Sequence, residues 1–241
     1  MPQEEQIKNE RLTQGQRIRA YLYSISDMGK GLSLRLSRSH PKFLSELFKI
    51  ESTEIADGIV EIVSVAREAG ERSKIAVKSN DNRVDPVGAC IGHKGVRVNS
   101  IHNELNREKI DIIEWTENIS KYISNSLSPA KVLDIELFEE EKRANVKVLM
   151  QEQSLAIGRG GQNVRLAAKL TGWKIDILGE EGIIIEANEE GVVDGESLLE
   201  NNNAKIETID EEIVEELESF ENKTIEGEIH EANNGKINED Y

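Results

Sequence analysis

The 241-residue chain has one cysteine, Cys90, and four prolines. A single cysteine excludes an intrachain disulfide framework and any metal site built on several thiolates. Aromatic residues make up only 4% of the sequence, so its core has to be aliphatic. No stretch reaches the roughly 18 consecutive apolar residues of a membrane span. The start, "MPQEEQIKNERLTQG", lacks the basic-then-apolar pattern of a secretion signal. Catalytic signatures are missing as well. There is no Gly-x-x-x-x-Gly-Lys-Ser/Thr, no His-Glu-x-x-His and no Gly-x-Ser-x-Gly, and "GRGGQN" lacks the last glycine and the preceding strand of a dinucleotide fingerprint. These absences predict a cytoplasmic protein away from membranes that is not an enzyme, with no metal and no cofactor.

Charge is unevenly spread. Residues 179–241 carry 21 Asp and Glu against three lysines, which leaves residues 1–178 close to neutral despite a net charge of −16 for the whole. An acidic segment with few apolar residues cannot offset the entropy of folding, so 179–241 is expected to be a mostly disordered tail. Within it, "IDEEIVEELESF" places Ile209, Ile213, Val214 and Leu217 at helical spacing, as either a frayed solvated helix or a docking helix. The tail itself suits either competition with an anionic ligand for a basic surface or solubility and partner docking.

The remainder is organised by repetition. "RIRAYLYSIS" and "GLSLRLS" alternate apolar and polar residues around "DMGKG", which predicts a hairpin with one apolar face. Pro41, with Ser39 or His40 at the cap, opens a helix lined by Phe43, Leu44, Leu47 and Phe48. Two similar units follow. Each has two strand-like segments around a charged turn, then a short apolar segment, a glycine loop, a helix and a last strand. Ile91-Gly92-x-x-Gly95-x-x-Val98 matches Ile157-Gly158-x-x-Gly161-x-x-Val164, and Lys109-Ile110-Asp111-Ile112 matches Lys174-Ile175-Asp176-Ile177. A lone glycine-x-x-glycine says little; two in register inside two copies of one unit say much more.

Glycine permits positive φ and lets a ligand backbone come close. A helix beginning at the loop adds free N–H groups and a partial positive charge, a setting that attracts phosphate. His93-Lys94 and Arg159-Gly160 stand between the glycines, and Arg97 and Arg165 extend the basic surface into the helices that follow. The alternative is a pair of plain tight turns, or one binding loop beside a degenerate one. Cys90 reads as a small packed side chain, and Trp115 and Trp173 as core or edge packing.

Glycine-x-x-glycine between two helices, with the order helix, two strands, two helices, strand, resembles a type-II KH domain. Two tandem copies behind a barrel hairpin resemble the NusA family of transcription elongation, termination and antitermination factors. The supporting stretches are "LSRSHPKFLSELF", "AREAGERSKIAV", "DPVGACIGHKG", "EKIDII", "SLSPA" and "LAIGRGGQNVRLAAKLTGWKIDI". The resemblance implies an α/β (α+β) fold divided into partial S1-type barrel strands (1–40), a first KH domain with a connector helix (41–120), a second KH domain (121–178) and the acidic tail (179–241).

It also implies a monomeric regulator that holds nascent single-stranded RNA near RNA polymerase and modulates pausing, termination and antitermination, with other transcription factors as further partners. The matching RNA-contact positions are Gly92, His93, Lys94 and Gly95, with Arg97, and Gly158, Arg159, Gly160 and Gly161, with Gln162, Asn163 and Arg165. Family members normally carry a polymerase-binding domain and a complete barrel ahead of these modules, and only the last barrel strands are matched here. A ribosome-associated or ribosome-assembly KH protein shares the loop but not the Gln162–Trp173 pattern.

Overall fold

The computed structural model describes residues 1–179, apart from 28 and 30, together with strands at 184–188 and 191–193. Strands β1 (Tyr21–Asp27) and β2 (Leu32–Ser37) form the expected antiparallel hairpin, with Leu22 opposite Leu36 and Ile25 opposite Leu34. Its apolar row is open: Ile25, Leu32 and Leu34 are 60%, 73% and 59% exposed.

Helix α1 (Pro41–Glu51) begins at His40, whose Nδ1 accepts from the Lys42 backbone N–H at 3.0 Å, with Pro41 in the first turn where its missing N–H costs nothing. The short α2 (Thr53–Ala56) leads into β3 (Val60–Glu68) and β4 (Arg72–Ser79), then α3 (Pro86–Ile91), α4 (Val96–Glu104) and β5 (Lys109–Glu114). The sheet order is β3-β4-β5, with the first pair antiparallel and the second parallel. The second unit repeats this order with α5 (Ile119–Ser126), β6 (Val132–Phe138), β7 (Arg143–Val148), α6 (Met150–Ile157), α7 (Gln162–Thr171) and β8 (Lys174–Leu178). Both units thus have the helix, two strands, two helices, strand order that the repeat predicts.

Two cores form, the second aliphatic and the first built around two phenylalanines as well as aliphatic side chains. Phe43, Leu44, Leu47, Phe48, Ile75, Val77 and Ile101 centre the first; Ile123, Leu127, Val146, Val164, Ile175 and Ile177 centre the second. A third cluster joins them: Ala66, Ala76 and Ile113 of the first sheet meet Tyr122, Leu166 and Leu170. The first sheet is therefore covered on both faces, which is why Ser73 to Val77 in its central strand are all buried. Helix α7 is covered on both sides in turn, by its own core and by the neighbouring sheet.

Two features depart from the sequence-based picture. Residues 5–10 lie on the first of the two repeated units rather than beside the hairpin. Ile7 enters that core, and the Glu5 carbonyl accepts from the backbone N–H groups of Arg38 and Ser39 at 2.7 and 3.2 Å. Arg38, 2% exposed, pairs with Glu10 and Glu104 at 2.5 and 2.9 Å. The second sheet also continues into the stretch assigned to the tail. Strands β9 (Ile184–Asn188) and β10 (Gly191–Val193) extend it in the order β10-β9-β8-β7-β6. Residues 194–241, including the possible helix at 209–220, lie outside the described residues.

Candidate nucleic-acid interface

The two glycine loops adopt one conformation. After α3 the chain turns at Gly92 (φ 74°, ψ 173°), and after α6 at Gly158 (φ 76°, ψ 170°). That region of backbone space is essentially closed to residues with a Cβ. A single 3-10 turn follows in each copy, His93–Gly95 or Arg159–Gly161, and then α4 or α7 starts directly. The middle position is left-handed in both, at Lys94 (φ 51°, ψ 28°) and Gly160 (φ 58°, ψ 31°).

This geometry gives each loop a setting that suits an anion. The starts of α4 and α7 receive no side-chain cap bond. First-turn N–H groups of a helix have no intrahelical acceptor, and the peptide dipoles add positive potential there. His93, Lys94, Arg159 and Gly160 are exposed. Apolar side chains flank both loops: Ile91 and Val96 are 37% and 63% exposed, and Leu155, in the turn before Gly158, is 48% exposed. A phosphate strand at the loop, with bases against those side chains, is what such a surface can hold.

The other expected contacts are bound up in the protein. Arg97 Nη1 donates to the Ala89 carbonyl at 2.6 Å and pairs with Glu54 at 2.9 Å. Arg165 Nε pairs with Glu68 at 2.7 Å, while its Nη1 donates to the Gly160 carbonyl at 3.0 Å. Gln162 Nε2 donates to Glu68 and Glu71 at 2.8 and 3.1 Å.

Asn163 requires an outright correction as a surface contact. It is 0% exposed, and its amide donates to the Leu127, Leu155 and Ala156 carbonyls at 2.9, 3.1 and 3.1 Å. It holds the end of α6 and the linker after α5 in place beneath the loop. Of the sequence-derived set, the structure brings together Gly92, His93, Lys94 and Gly95 in one loop and Gly158, Arg159 and Gly160 in the other, whose last glycine, Gly161, is buried.

Sequence reasoning missed Glu68 and Glu71, because their partners lie more than ninety residues away. Burial works against the charged form of Glu68, but bonds from Arg165 and Gln162 and the Arg165 and Lys169 charges outweigh it and lower its pKa. Elsewhere the side chains are structural. Burial pushes the Cys90 thiol up to about 12, and Trp115 and Trp173 pack at the edges of the cores. Among the described residues no group of three or more His, Cys, Asp or Glu is arranged to hold a metal ion, and no helix is long and apolar enough to cross a membrane.

Comparison with known proteins points the same way. Residues 38–115 match the family model of the NusA-like first KH domain, and 119–183 that of the NusA-like second KH domain. The chain is 51% identical over 197 residues to the transcription termination/antitermination protein NusA of Halalkalibacterium halodurans, across 82% of this chain and 50% of that one. It is 53% identical over 189 residues to the Thermus thermophilus protein of that name (78% and 48%), and 53% over 180 residues to that of Bacillus subtilis (75% and 48%). The chain spans about half the length of the curated relatives it matches.

Proposed function

The chain belongs to the NusA family through its paired KH domains, and on that premise we propose that it binds nascent single-stranded RNA and acts on transcription beside RNA polymerase. The observation that supports this reading is the pair of glycine loops with matching dihedrals, each opening an uncapped helix, on two domains joined by a shared apolar cluster. Each loop suits about four nucleotides, with the backbone at the glycines and bases on the flanking apolar side chains. Lys94 and Arg159 supply exposed positive charge at the two loops, where a passing phosphate meets it first. The reaction is association alone. Holding the transcript close to the polymerase changes the local concentration of RNA that can form or escape a terminator, and no bond is made or broken by this chain.

The test has two arms. A fluorescent single strand of about twelve nucleotides, long enough for both loops, should bind, and a duplex of equal length should bind at least about tenfold more weakly. The chain should also co-purify with RNA polymerase rather than with ribosomal subunits. Equal binding of duplex and single strand, or ribosomal co-purification without polymerase, overturns the reading.

A further inference from the structure

Helix α7 lies along strand β3 and is tied to it at both ends. At the far end, the Leu170 carbonyl accepts from the Ser64 hydroxyl at 2.9 Å and from the Tyr122 hydroxyl at 3.1 Å. At the loop end, Glu68 accepts from Arg165 Nε and Gln162 Nε2 at 2.7 and 2.8 Å. Ser64, Ala66 and Glu68 alternate along the strand onto the face that α7 covers. Four strand residues span ~14 Å and eight helical residues ~12 Å, so the two sets of ties fit one antiparallel pair of elements. Between them sit Leu166 and Leu170, 0% and 3% exposed.

We propose that Glu68 of the first KH domain is a positioning residue for the second domain's glycine loop, fixing how far that loop stands from the first one. The inference rests on the RNA-binding reading above. The connection is short: from the Glu68 carboxylate to the Arg165 guanidinium, and from its Nη1 to the Gly160 carbonyl at the loop tip. A second link runs through Gln162, the residue directly after Gly161, to Glu68 and Glu71. Glu71 also accepts from Lys8 at 3.1 Å, so the N-terminal segment braces the same corner.

Glu68 and Arg165 have side chains only 19% and 23% exposed, which limits screening of the pair. The internal shape of the loop has a different support, the buried Asn163 amide and the glycine conformations. Glu68 therefore governs placement and leaves the loop's own grip alone. Among the described residues the first loop has no such tie to the second domain. Arg97 and its partner Glu54 both belong to the first.

Two sites joined rigidly at the right spacing make the second contact intramolecular, and that gain disappears when the spacing is lost. The experiment compares Glu68→Gln, which keeps size and removes charge, with Glu68→Ala, on two RNAs. A strand of about twelve nucleotides spans both loops; a strand of about four occupies one at a time. Fluorescence anisotropy reads the first, and NMR chemical-shift titration reads the second.

Both variants should weaken binding of the long strand by at least about fivefold, Ala more than Gln, while the short strand changes by less than about twofold. Lys42, which is exposed and outside the network, is the control: Lys42→Gln should leave the long-to-short ratio as it is. Tighter binding with a steeper salt dependence shows instead that Glu68 competes with phosphate for Arg165, and it overturns the proposal. An unchanged ratio in both variants overturns it too. If the unsubstituted chain binds neither strand, the RNA-binding reading itself has failed, an outcome distinct from both of these.

Discussion

Arg97 and Asn163 occupy the same place in the two copies and do the same work with different chemistry. Each is the second residue of the helix after its loop, and each donates to the carbonyl three residues before the first glycine, at Ala89 or Leu155. Each also closes the space above that glycine. A Cβ built on Gly92 falls 2.7 Å from Arg97 Cγ, and one on Gly158 falls 2.8 Å from Asn163 Cβ. The repeat thus preserves a loop clamp whose residue type has changed, from a guanidinium at the surface to an amide in the interior.

Gly160 separates electrostatics from shape. Among the described residues nothing lies within 4 Å of a Cβ at this position, and its left-handed backbone is the one Lys94 already adopts. Gly160→Asp should therefore fold, with a conformational cost of ~1–2 kcal/mol. A carboxylate ~4 Å from a phosphate costs about 1 kcal/mol in water, so RNA affinity should fall at least about fivefold. Gly160→Lys should bind as well as the parent or better. Anisotropy titrations of both variants check this, and equal affinities for the two would show that phosphate does not pass the loop tip.

Asn163→Ala should destabilise the second domain. It removes the amide's bonds from a fully buried site and takes a donor from the carbonyls of Leu127, Leu155 and Ala156, of which Leu127 keeps the Ala130 N–H. The expected loss is about 2–3 kcal/mol, read as a lower urea midpoint with little change in slope. An effect on RNA binding without loss of stability would mean that the side chain reaches the ligand after all.

Leu166→Ala tests the joint between the domains. The side chain is 0% exposed in the cluster shared with Ala66, Ala76, Ile113, Tyr122 and Leu170. Truncation should cost about 2–5 kcal/mol. Because the cavity opens between two cores, hydrogen exchange should rise on both sides, in α7 and in β3. A rise confined to α7 would place the side chain in one core only.

Glu54 gives a pH signature at the first loop. Its carboxyl is lowered from 4.5 to about 2, chiefly by a bond from its own backbone N–H; burial acts the other way, and Ser52, Arg97 and Thr53 add to the lowering. A depressed acid stabilises the fold above its ordinary pKa, and the contribution is lost as pH falls through the depressed value. The Arg97–Glu54 pair should persist well below pH 4.5 and be lost only as pH falls through about 2. NMR titration of the Glu54 carboxyl checks it, and a midpoint near 4.5 would contradict the pairing.

Association with RNA should depend on salt. Contact with about 4–6 phosphates gives a slope of log affinity on log salt near −3 to −4 for a single strand. Titrations at four or five salt concentrations measure it, and a flat response would argue against the loops as phosphate sites.

The repeated unit, the glycine loops and the apolar face of α1 were legible in the sequence, because each rests on spacing within a short window. Long-range placement was not. Arg97 and Arg165 read alike as basic residues after a loop, yet the offset of 66 that aligns the glycines sets Arg97 opposite Asn163 and leaves Arg165 opposite Asn99. Applying that offset strictly would have exposed the difference.

Helix α7 carried a second unread signal. Val164, Leu166, Ala167, Ala168 and Leu170 leave it little polar face, the mark of a helix covered on both sides. The docking of Ile7 had no signal at all, since one apolar residue in a polar segment has no period.

Because α7 is held by its own core on one side and by the neighbouring sheet on the other, the pair behaves as a ruler. A straight, unstacked transcript can lie along it from notch to notch. A hairpin stem, whose phosphates wind away from a line, meets one notch and leaves the second empty. On the proposed RNA-binding reading, discrimination between folded and unfolded RNA would come from the distance between two fixed points, before any base is read.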